Sequence, residues 1–293
     1  MYAEEFTYHR AESVAEAIDL LETQPEAKLL AGGQALIPAM KKREMTPGTV
    51  VDIGNLEKLR GIHPTDGGVR IGALTTHSEV QESTLLDRLV PVIPDTAAHI
   101  TGGTQVHNFA TIGGNIARAH PGYDHEGALL ATNSEISVRG PDGTRRVPAT
   151  EFFRGACTTD LAEEQLITGV HVPTGTRDRY GGYAKRKEPA SGNAIVGVAT
   201  DLTTGDDETV VTSARLAVNG LQPSAVRLEA AEKVLVNATL SDTTIDDAVA
   251  AAGDSLDPDR MLDNKKASAE YRRTLLGPQV RKSISRATAP LSV

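Results

Sequence analysis

The chain is poor in cysteine, and this scarcity limits its covalent and redox chemistry. Among its 293 residues Cys157 is the only cysteine, so no disulfide can form within the chain. Iron–sulfur clusters are held by several cysteine thiolates, so any such cluster must sit on another chain. The neighbours of Cys157, in the sequence Arg154-Gly155-Ala156-Cys157-Thr158, offer no activating group. We expect a small buried hydrophobe rather than a nucleophile.

Positive charge is also scarce. The chain has 30 Lys and Arg against 39 Asp and Glu, a net charge of -9 and a pI of about 5.4. No basic stripe exists that would neutralise phosphates, which argues against nucleic-acid binding. The short basic runs at 41–43, 185–187 and 265–266 are typical of solvated faces.

Long apolar runs are absent as well. No stretch is long enough to cross a bilayer, and Met1-Tyr2-Ala3-Glu4-Glu5 is the wrong chemistry for a signal peptide. We therefore expect a cytoplasmic protein. A chain of this length buries roughly 75% of the surface that its unfolded form exposes, and the length favours two or so domains.

Glycine pairs are the main feature that the sequence does contain. The stretch from Thr101 to Asp124 holds two of them, Gly102-Gly103 and Gly113-Gly114, and almost no run long enough for a buried strand or helix. Glycine has no Cβ, so successive backbone N–H groups can approach an anionic oxygen closely. The stretch predicts a backbone loop folded against a phosphate.

Another glycine segment lies earlier, at Ala31-Gly32-Gly33-Gln34-Ala35-Leu36. It is called the first segment below, and the stretch from Thr101 to Asp124 is called the second. The first segment follows apolar Leu29-Leu30 and precedes a short helical stretch from Ile37, an arrangement that places free N–H groups beside a positive helix end. Either segment alone is more often an ordinary tight turn. The two together favour a pyrophosphate held from two sides.

The first third of the chain has an α/β pattern. Strands are predicted at 5–8, 29–31 and 49–53, and a helix begins at Ser13, where Glu16 completes a capping box. A hairpin is predicted between 59 and 72 around Asp66-Gly67-Gly68. A second capping box, Thr76 with Glu79, opens helical sequence that is broken at Pro91 and Pro94.

The remaining pattern separates a C-terminal unit. A helix at 125–132 and strands at 135–139, 145–147 and 166–172 precede Pro173-Thr174-Gly175-Thr176, the best boundary candidate. Beyond it, three antiparallel strands are predicted at 183–186, 195–202 and 210–218, with a turn at Thr204-Gly205-Asp206-Asp207 between the last two. Helices are predicted at 226–236, 244–252 and 268–286.

The quoted stretches resemble a known family. AGGQAL and QVHNFATIGGN, with QLIT at 165–168 and SAEYRRTLLGPQVRKSI near the C-terminus, are similar to the FAD-binding medium subunit of the molybdenum hydroxylases, the family of carbon monoxide dehydrogenase and xanthine dehydrogenase. The resemblance covers nearly the whole chain. It implies an α+β protein: a two-subdomain FAD-binding fold of the vanillyl-alcohol oxidase (PCMH) type at 1–175, divided at 55/56, and a small C-terminal α+β domain with a three-stranded antiparallel sheet at 178–290.

The resemblance also implies the cofactor-binding residues. The first segment would bind the FAD pyrophosphate through its backbone N–H groups, and the second would clamp it from the other side. Leu166 would supply an apolar wall, and no catalytic or metal-binding residue is predicted on this chain. The implied residues are Leu30, Ala31, Gly32, Gly33, Gln34, Ala35, Leu36, Thr101, Ala110, Thr111, Ile112, Gly113, Gly114, Asn115, Asp124, Leu166 and Lys185.

Two of these residues have a competing interpretation. Asp124 matches a family carboxylate that accepts hydrogen bonds from ribityl or ribose hydroxyls, but it could instead cap the helix that begins at His125. Lys185 matches a family lysine near the flavin, where a cation would raise the flavin potential. The alternative for Lys185 is a strand-edge lysine in water.

Several positions depart from the family pattern. Ala35 stands where Ser is common, His107 and Phe109 where Arg is common, and His120-Pro121-Gly122-Tyr123 where an Asp-Pro-Ala-Ser sequence is usual. Ser191-Gly192-Asn193 lacks a common Asp. None of these departures removes the pyrophosphate cradle, but together they leave the flavin environment and the identity of the electron acceptor open. We interpret these histidines as loop residues rather than metal ligands, because no second ligand stands at a helical or hairpin spacing.

The sequence thus favours a redox relay. Electrons would leave a substrate at a molybdopterin cofactor on a large subunit, cross [2Fe-2S] clusters on a small subunit, reach FAD here and pass to NAD or a quinone-type acceptor. The resemblance implies a dimer of heterotrimers. The alternatives are a stand-alone FAD oxidoreductase of the same fold and a flavin-free assembly subunit.

Overall fold

The computed structural model describes residues 2–24, 26–175, 177–205 and 210–292. Its N-terminal part is a small parallel sheet in the order β1-β3-β2, in which Leu29 pairs with Val51. Ala17 and Ile18 of the first helix are buried on the core of this part. The elements are β1 (Thr7–Arg10), α1 (Val14–Thr23), β2 (Lys28–Leu30), α2 (Leu36–Lys42) and β3 (Thr49–Asp52).

The predicted capping box at the start of α1 forms only in part. The Ser13 hydroxyl accepts from the N–H of Glu16, as predicted, but the Glu16 carboxylate turns to the N–H of Glu12. The second box, Thr76 with Glu79, is complete.

The middle part of the chain adds an antiparallel sheet in the order β4-β5-β10-β6-β7 and a layer of short helices. Its first hairpin turns at Asp66–Gly67, as predicted. The elements are β4 (Ile62–Thr65), β5 (Gly68–Gly72), α3 (His77–Gln81), α4 (Thr84–Leu89), α5 (Val92–Ala98), α6 (Gly103–Phe109), α7 (Ile112–Arg118), α8 (His125–Ala131), β6 (Glu135–Gly140), β7 (Gly143–Pro148), α9 (Ala149–Phe152), β8 (Phe153–Gly155), β9 (Thr158–Thr159) and β10 (Leu166–Pro173).

Two expectations for this part were wrong. The stretch from Thr101 to Asp124 contains the short helices α6 and α7, and Ile112 and Ile116 of α7 join the core. Pro94 does not break α5, because it stands in the first turn, where a backbone N–H needs no partner within the helix.

Cys157 is exposed rather than buried. It lies in the turn between β8 and β9 with a left-handed φ of 56°, and its N–H donates to the carbonyl of Ala119 at 2.7 Å. A tight two-strand turn directs the side chain to solvent, so the expectation of a small buried hydrophobe was wrong.

The C-terminal part is an antiparallel sheet in the order β11-β12-β13-β14, covered by helices. Its elements are β11 (Arg179–Lys187), β12 (Ala194–Thr204), β13 (Val211–Asn219), β14 (Val226–Arg227), α10 (Glu229–Leu235), α11 (Asp242–Ala251) and α12 (Ala269–Thr288). The three predicted strands are confirmed, but the sheet has a fourth, two-residue strand. Val226 and Arg227 pair with β13, so the helix predicted from Val226 begins only at Glu229.

Parts of two expectations fall outside the described residues: Thr176 in the boundary segment, and Asp206 and Asp207 in the turn. The described segments share their cores. Tyr183 and Ala199 of the C-terminal sheet pack into the core of the middle part, and Leu166 of β10 belongs to the core of the N-terminal part. The C-terminal sheet therefore rests directly on α5 and α8, the helices that flank the second glycine segment.

Candidate functional site

The structure brings the two glycine segments into contact. A Cβ added to Gly32 would overlap the carbonyl oxygen of Phe109 and lie 2.9 Å from the Cα of Ala110. Gly33 has a φ of 72°, a left-handed conformation that glycine adopts without strain. Glycine is therefore required twice here, once for a close approach between two chain segments and once for the backbone conformation.

The first segment presents free donors. Within the described residues, the backbone N–H groups of Gly32, Gly33, Gln34 and Ala35 donate no hydrogen bond. The segment follows the end of β2 and is half-buried, and the Gln34 side chain folds back toward the carbonyl of Gly32 at 3.4 Å. Successive N–H groups without a protein acceptor suit an anionic oxygen.

The second segment differs from the expectation. The N–H of Ile112 donates to Thr75 O at 3.0 Å and that of Gly113 to Ala73 O at 2.9 Å. Those of Gly114 and Asn115 donate to the side chain and carbonyl of Thr111. These four amides are already occupied, so within the described residues only the N–H of Thr111 is left for the predicted backbone clamp. Two polar side chains remain: the Thr111 hydroxyl, which accepts from Gly114 and can still donate, and the half-buried side chain of Asn115, which makes no hydrogen bond to the described part of the chain.

Thr101, at the start of the second segment, lies against the turn between β11 and β12 of the C-terminal sheet. Its hydroxyl is 3.4 Å from the carbonyl of Ser191, and Gly192 packs directly against its side chain. The turn at 188–193 is held by Glu188, whose carboxylate accepts from the N–H groups of Ala190 and Ser191. These hydrogen bonds, with that of the Ser191 side chain foremost, lower the pKa of Glu188 to about 2.

Asp124 and Lys185 form a buried ion pair. Lys185 Nζ donates to Asp124 Oδ2 at 2.9 Å, and the side chains of Lys185 and Asp124 are only 4% and 6% exposed. Tyr183 donates its hydroxyl to Asp124 Oδ1 at 2.6 Å. Burial raises the pKa of Asp124 while the Lys185 cation opposes that rise. Burial, and then the Asp124 carboxylate, raise the pKa of Tyr183 well above its ordinary value.

This geometry removes both competing interpretations. Asp124 occupies the N-cap position of α8, but its side chain makes no capping hydrogen bond. Lys185 is on the edge strand β11 but is not in water. The contact of either residue with FAD stays a prediction, as it does for the other implied residues.

Leu166 has a different role from the residues of the two glycine segments. Only 1% of it is exposed, and it packs among the core residues of the N-terminal part, so it supports the site from within. Leu30 ends β2, Leu36 begins α2, and Ala110 precedes α7, which places all three beside the apposed segments.

Sequence reasoning missed a group of three histidines at the second segment. His125 Nε2 is 3.3 Å from His77 Nδ1, and the ring of His107 stands edge-on to that of His77. Burial lowers the pKa of His77 to about 2 and that of His125 to about 4. Since 48 residues separate His77 from His125, no local spacing could have found the pair. The described residues contain no group of three or more His, Cys, Asp or Glu arranged to hold a metal ion.

No helix among the described residues is both long and apolar enough to span a membrane.

Comparison with known proteins gives a consistent result. The family described as "FAD binding domain in molybdopterin dehydrogenase" matches residues 4–175, and "CO dehydrogenase flavoprotein C-terminal domain" matches residues 182–287. The carbon monoxide dehydrogenase medium chain of Hydrogenophaga pseudoflava is 32% identical over 285 residues, 97% of each chain. The xanthine dehydrogenase FAD-binding subunit of Escherichia coli O157:H7 is 31% identical over 288 residues, 97% of this chain and 96% of that one.

Solved structures agree. A chain of carbon monoxide dehydrogenase from Hydrogenophaga pseudoflava, in a form that lacks the Mo-pyranopterin moiety, superposes with a TM-score of 0.91 at 32% identity, with 99% of each chain covered. The predicted α+β class and the predicted family are confirmed. The chain belongs to the family of FAD-binding medium subunits of the molybdopterin dehydrogenases, an oxidoreductase family in which this chain carries the FAD-binding domain.

Proposed function

We propose that this chain is the flavin relay of a three-subunit molybdenum hydroxylase, taking electrons from [2Fe-2S] clusters on a small subunit and passing them to NAD or a quinone-type acceptor. In this arrangement a large subunit holds the molybdopterin cofactor and oxidises the substrate, and the complex is a cytoplasmic dimer of heterotrimers. The family membership supports the flavin. Cys157 is the only cysteine of the sequence, too few to hold a cluster, so any iron–sulfur cluster of the relay lies on another chain.

The observation that carries the proposal is the contact between the glycine segments. The four free N–H groups from Gly32 to Ala35 form a surface that suits a pyrophosphate, and Gly32 can have no side chain because Phe109 and Ala110 lie against it. Residues Leu30 to Leu36 would bind the phosphates, and Asn115 and Thr101 would add side-chain contacts. When bound, FAD supplies the electron-carrying ring, and the protein binds, orients and tunes it.

Thr111 and Gly113 already make contacts within the protein, and these contacts indicate their roles. The Thr111 hydroxyl accepts from the N–H of Gly114 and so shapes the start of α7, while its own O–H can still donate. Gly113 is enclosed by Ala73 and gives α7 its close packing on the strand end. Residues 111–115 would thus form a rigid wall behind the pyrophosphate, with Asn115 as its polar contact.

The first test is the visible absorption spectrum of the purified chain, before and after addition of FAD and then dithionite. We expect flavin bands that co-purify or appear on reconstitution and that bleach on reduction. Bleaching by NADH would assign NAD as the acceptor. If the absorbance of the reduced flavin returns on addition of a quinone but not of NAD, the acceptor belongs to the quinone class.

The partner test uses the same chain with candidate small and large subunits. We expect co-elution of three chains and reduction of the flavin when the molybdenum substrate is added to the complex. A chain that stays colourless both alone and with its partners would contradict the proposal and favour a flavin-free assembly role.

A further inference from the structure

The ion pair between Asp124 and Lys185 has no net charge. The two charged groups are 2.9 Å apart and almost fully buried, so the field of one largely cancels that of the other at any group some distance away. Lys185 alone would favour an electron on a nearby flavin. With Asp124 in contact, what reaches the flavin site is the field of a dipole, and its size depends on how the carboxylate is held.

Tyr183 holds that carboxylate. Its hydroxyl is 2.6 Å from the oxygen of Asp124 that Lys185 does not contact, so each carboxylate oxygen has its own donor. The backbone of Tyr183 is fixed in turn, because its N–H donates to Asp95 Oδ2 at 2.7 Å. Its ring stands edge-on to His99 at a centroid distance of 5.6 Å. The Tyr183 side chain is completely buried.

The sheet register creates the space for this contact. Lys185 pairs with Gly197, and Gly197 pairs with Asn219, so the three form one row across β11, β12 and β13. A Cβ on Gly197 would overlap the Tyr183 hydroxyl and lie 2.6 Å from Asn219 Oδ1. The missing side chain at Gly197 is therefore what admits the phenol beneath the ion pair.

Asn219 completes the arrangement. Its Oδ1 lies 3.2 Å from the Tyr183 hydroxyl, and its buried Nδ2 has no partner within the described residues. One hydroxyl proton serves one acceptor, and the shorter distance assigns it to Asp124. Turning the Asn219 amide by half a turn makes Nδ2 a donor to the Tyr183 oxygen. The chain of donors then runs from Asn219 through Tyr183 to Asp124.

We infer that Tyr183 is the positioning residue of the Asp124–Lys185 pair, and that the C-terminal sheet thereby sets the charge that Lys185 presents to the flavin site. The inference rests on the proposed function. It assigns a role at the flavin site to Tyr183, a residue that lies outside both glycine segments. Asp124 belongs to the part of the chain that matches the FAD-binding domain, and Tyr183 and Lys185 belong to the part that matches the C-terminal domain, so the pair is assembled only when both are in place.

The signs of the expected effects follow from the charges. Replacing Lys185 leaves the Asp124 charge uncompensated and disfavours the reduced flavin. Replacing Asp124 by Asn leaves the Lys185 charge uncompensated and favours it. Removing the Tyr183 hydroxyl removes a donor that disperses the carboxylate charge, so the effect has the sign of the Lys185 change and is smaller.

The test measures the midpoint potential of FAD in the full chain against a reference dye, with FAD affinity from flavin fluorescence. For K185M we expect a ratio of reduced to oxidised flavin about tenfold lower at fixed potential, which is about 30 mV for a two-electron couple. For Y183F we expect about threefold lower, and for D124N a shift in the opposite direction. Combining Y183F with D124N should give the D124N value, because Tyr183 acts through Asp124.

The matched control is Y180F on the same strand, where Tyr180 is half-buried against the C-terminal core. It should leave potential and affinity unchanged. The inference is overturned if Y183F equals wild type, or if its effect persists in the D124N background. If D124N does not fold, Y183F and K185M still decide, because a Y183F shift equal to that of Y180F overturns the inference. A chain that takes up no FAD in any variant overturns the proposed function first, whereas normal uptake with a silent Y183F overturns this inference alone.

Discussion

Glu126 Oε1 accepts a hydrogen bond from the backbone N–H of Ala225 at 2.6 Å, while its Oε2 has no partner within the described part of the chain. This contact joins α8, next to Asp124, to the loop that follows β13. Only 3% of Glu126 is exposed, and burial raises the pKa of its carboxyl to about 7. A carboxyl that is half satisfied when ionised is better accommodated when protonated.

The first prediction concerns the pH dependence of stability. A raised folded-state pKa means that the folded protein binds the proton more tightly, so the stabilisation is complete below the ordinary value of 4.5 and is lost as pH rises through about 7. We expect Glu126→Gln to be more stable than wild type at pH 8, by on the order of 1–3 kcal/mol. The check is the difference in free energy of unfolding between the two proteins at pH 5 and pH 8. Equal differences at both pH values would show that the Glu126 proton contributes nothing.

The buried pair His77 and His125 should give the opposite pH dependence of stability. Because burial lowers the pKa of His125 to about 4 and that of His77 to about 2, their stabilisation is present above the ordinary 6.5 and is lost as pH falls. We expect His125→Phe to flatten the loss of thermal stability between pH 6.5 and pH 4. The control is His63→Asn at an exposed site, which should retain the wild-type slope. If thermal stability falls with pH as steeply in His125→Phe as in wild type, the histidine pair does not contribute to the loss of stability in acid.

The contact between Gly32 and Phe109 predicts the effect of a single methyl group. Gly32→Ala would force the two glycine segments apart, because the added Cβ meets backbone rather than a flexible side chain. We expect overpacking to lower the free energy of unfolding by roughly 1–3 kcal/mol. We also expect the affinity for FAD to fall by at least about tenfold. Gly253→Ala is the control, since nothing lies within 4 Å of a Cβ there. Normal FAD binding by Gly32→Ala would mean that the segments do not form the phosphate site.

Two ion pairs should differ in their contribution to stability because they differ in burial. Arg179 donates to Asp201 through two nitrogens, at 2.9 and 2.6 Å, with side chains 7% and 2% exposed. Burial raises the pKa of Asp201 and Arg179 opposes the rise, so an unpaired Asp201 would be strongly unfavourable. Arg179→Met should cost about 3–5 kcal/mol.

The exposed pair of Arg146 and Glu135 is the comparison for this prediction. Their side chains are 56% and 39% exposed and 3.4 Å apart, so Arg146→Met should cost less than about 1 kcal/mol. Urea denaturation of both variants gives the two values. Similar losses in the two variants would contradict the role assigned to burial.

Much of the fold could be predicted because its signals are local. Alternating and helical patterns placed nearly all of the strands and the long C-terminal helix, and Ser13 and Thr76 marked helix starts. The errors arose where tertiary contacts override local preference. Ile112 and Ile116 are helical and buried although Gly113 and Gly114 lie between them, and Val226 pairs with β13 instead of beginning a helix.

The candidate site divides in the same way. The glycine positions were evident in the sequence, and their resemblance to a family identified the cofactor. Whether each backbone N–H is free was not evident, because it depends on whether a carbonyl from elsewhere in the chain lies opposite. Thr75 and Ala73 accept from the N–H groups of Ile112 and Gly113, while those of residues 32–35 have no acceptor among the residues that the structure describes.

The sequence by itself determined two properties of this chain. Its one thiol cannot hold an iron–sulfur cluster, and its two glycine segments allow backbone to approach closely. Only the tertiary structure decided which charges meet. Asp124 contacts Tyr183 and Lys185 across 59 and 61 residues, and those contacts exist because β11 packs on the helices of the middle part. A side chain's ionisation depends on burial and on neighbours brought from elsewhere in the chain, and neither quantity is contained in local sequence.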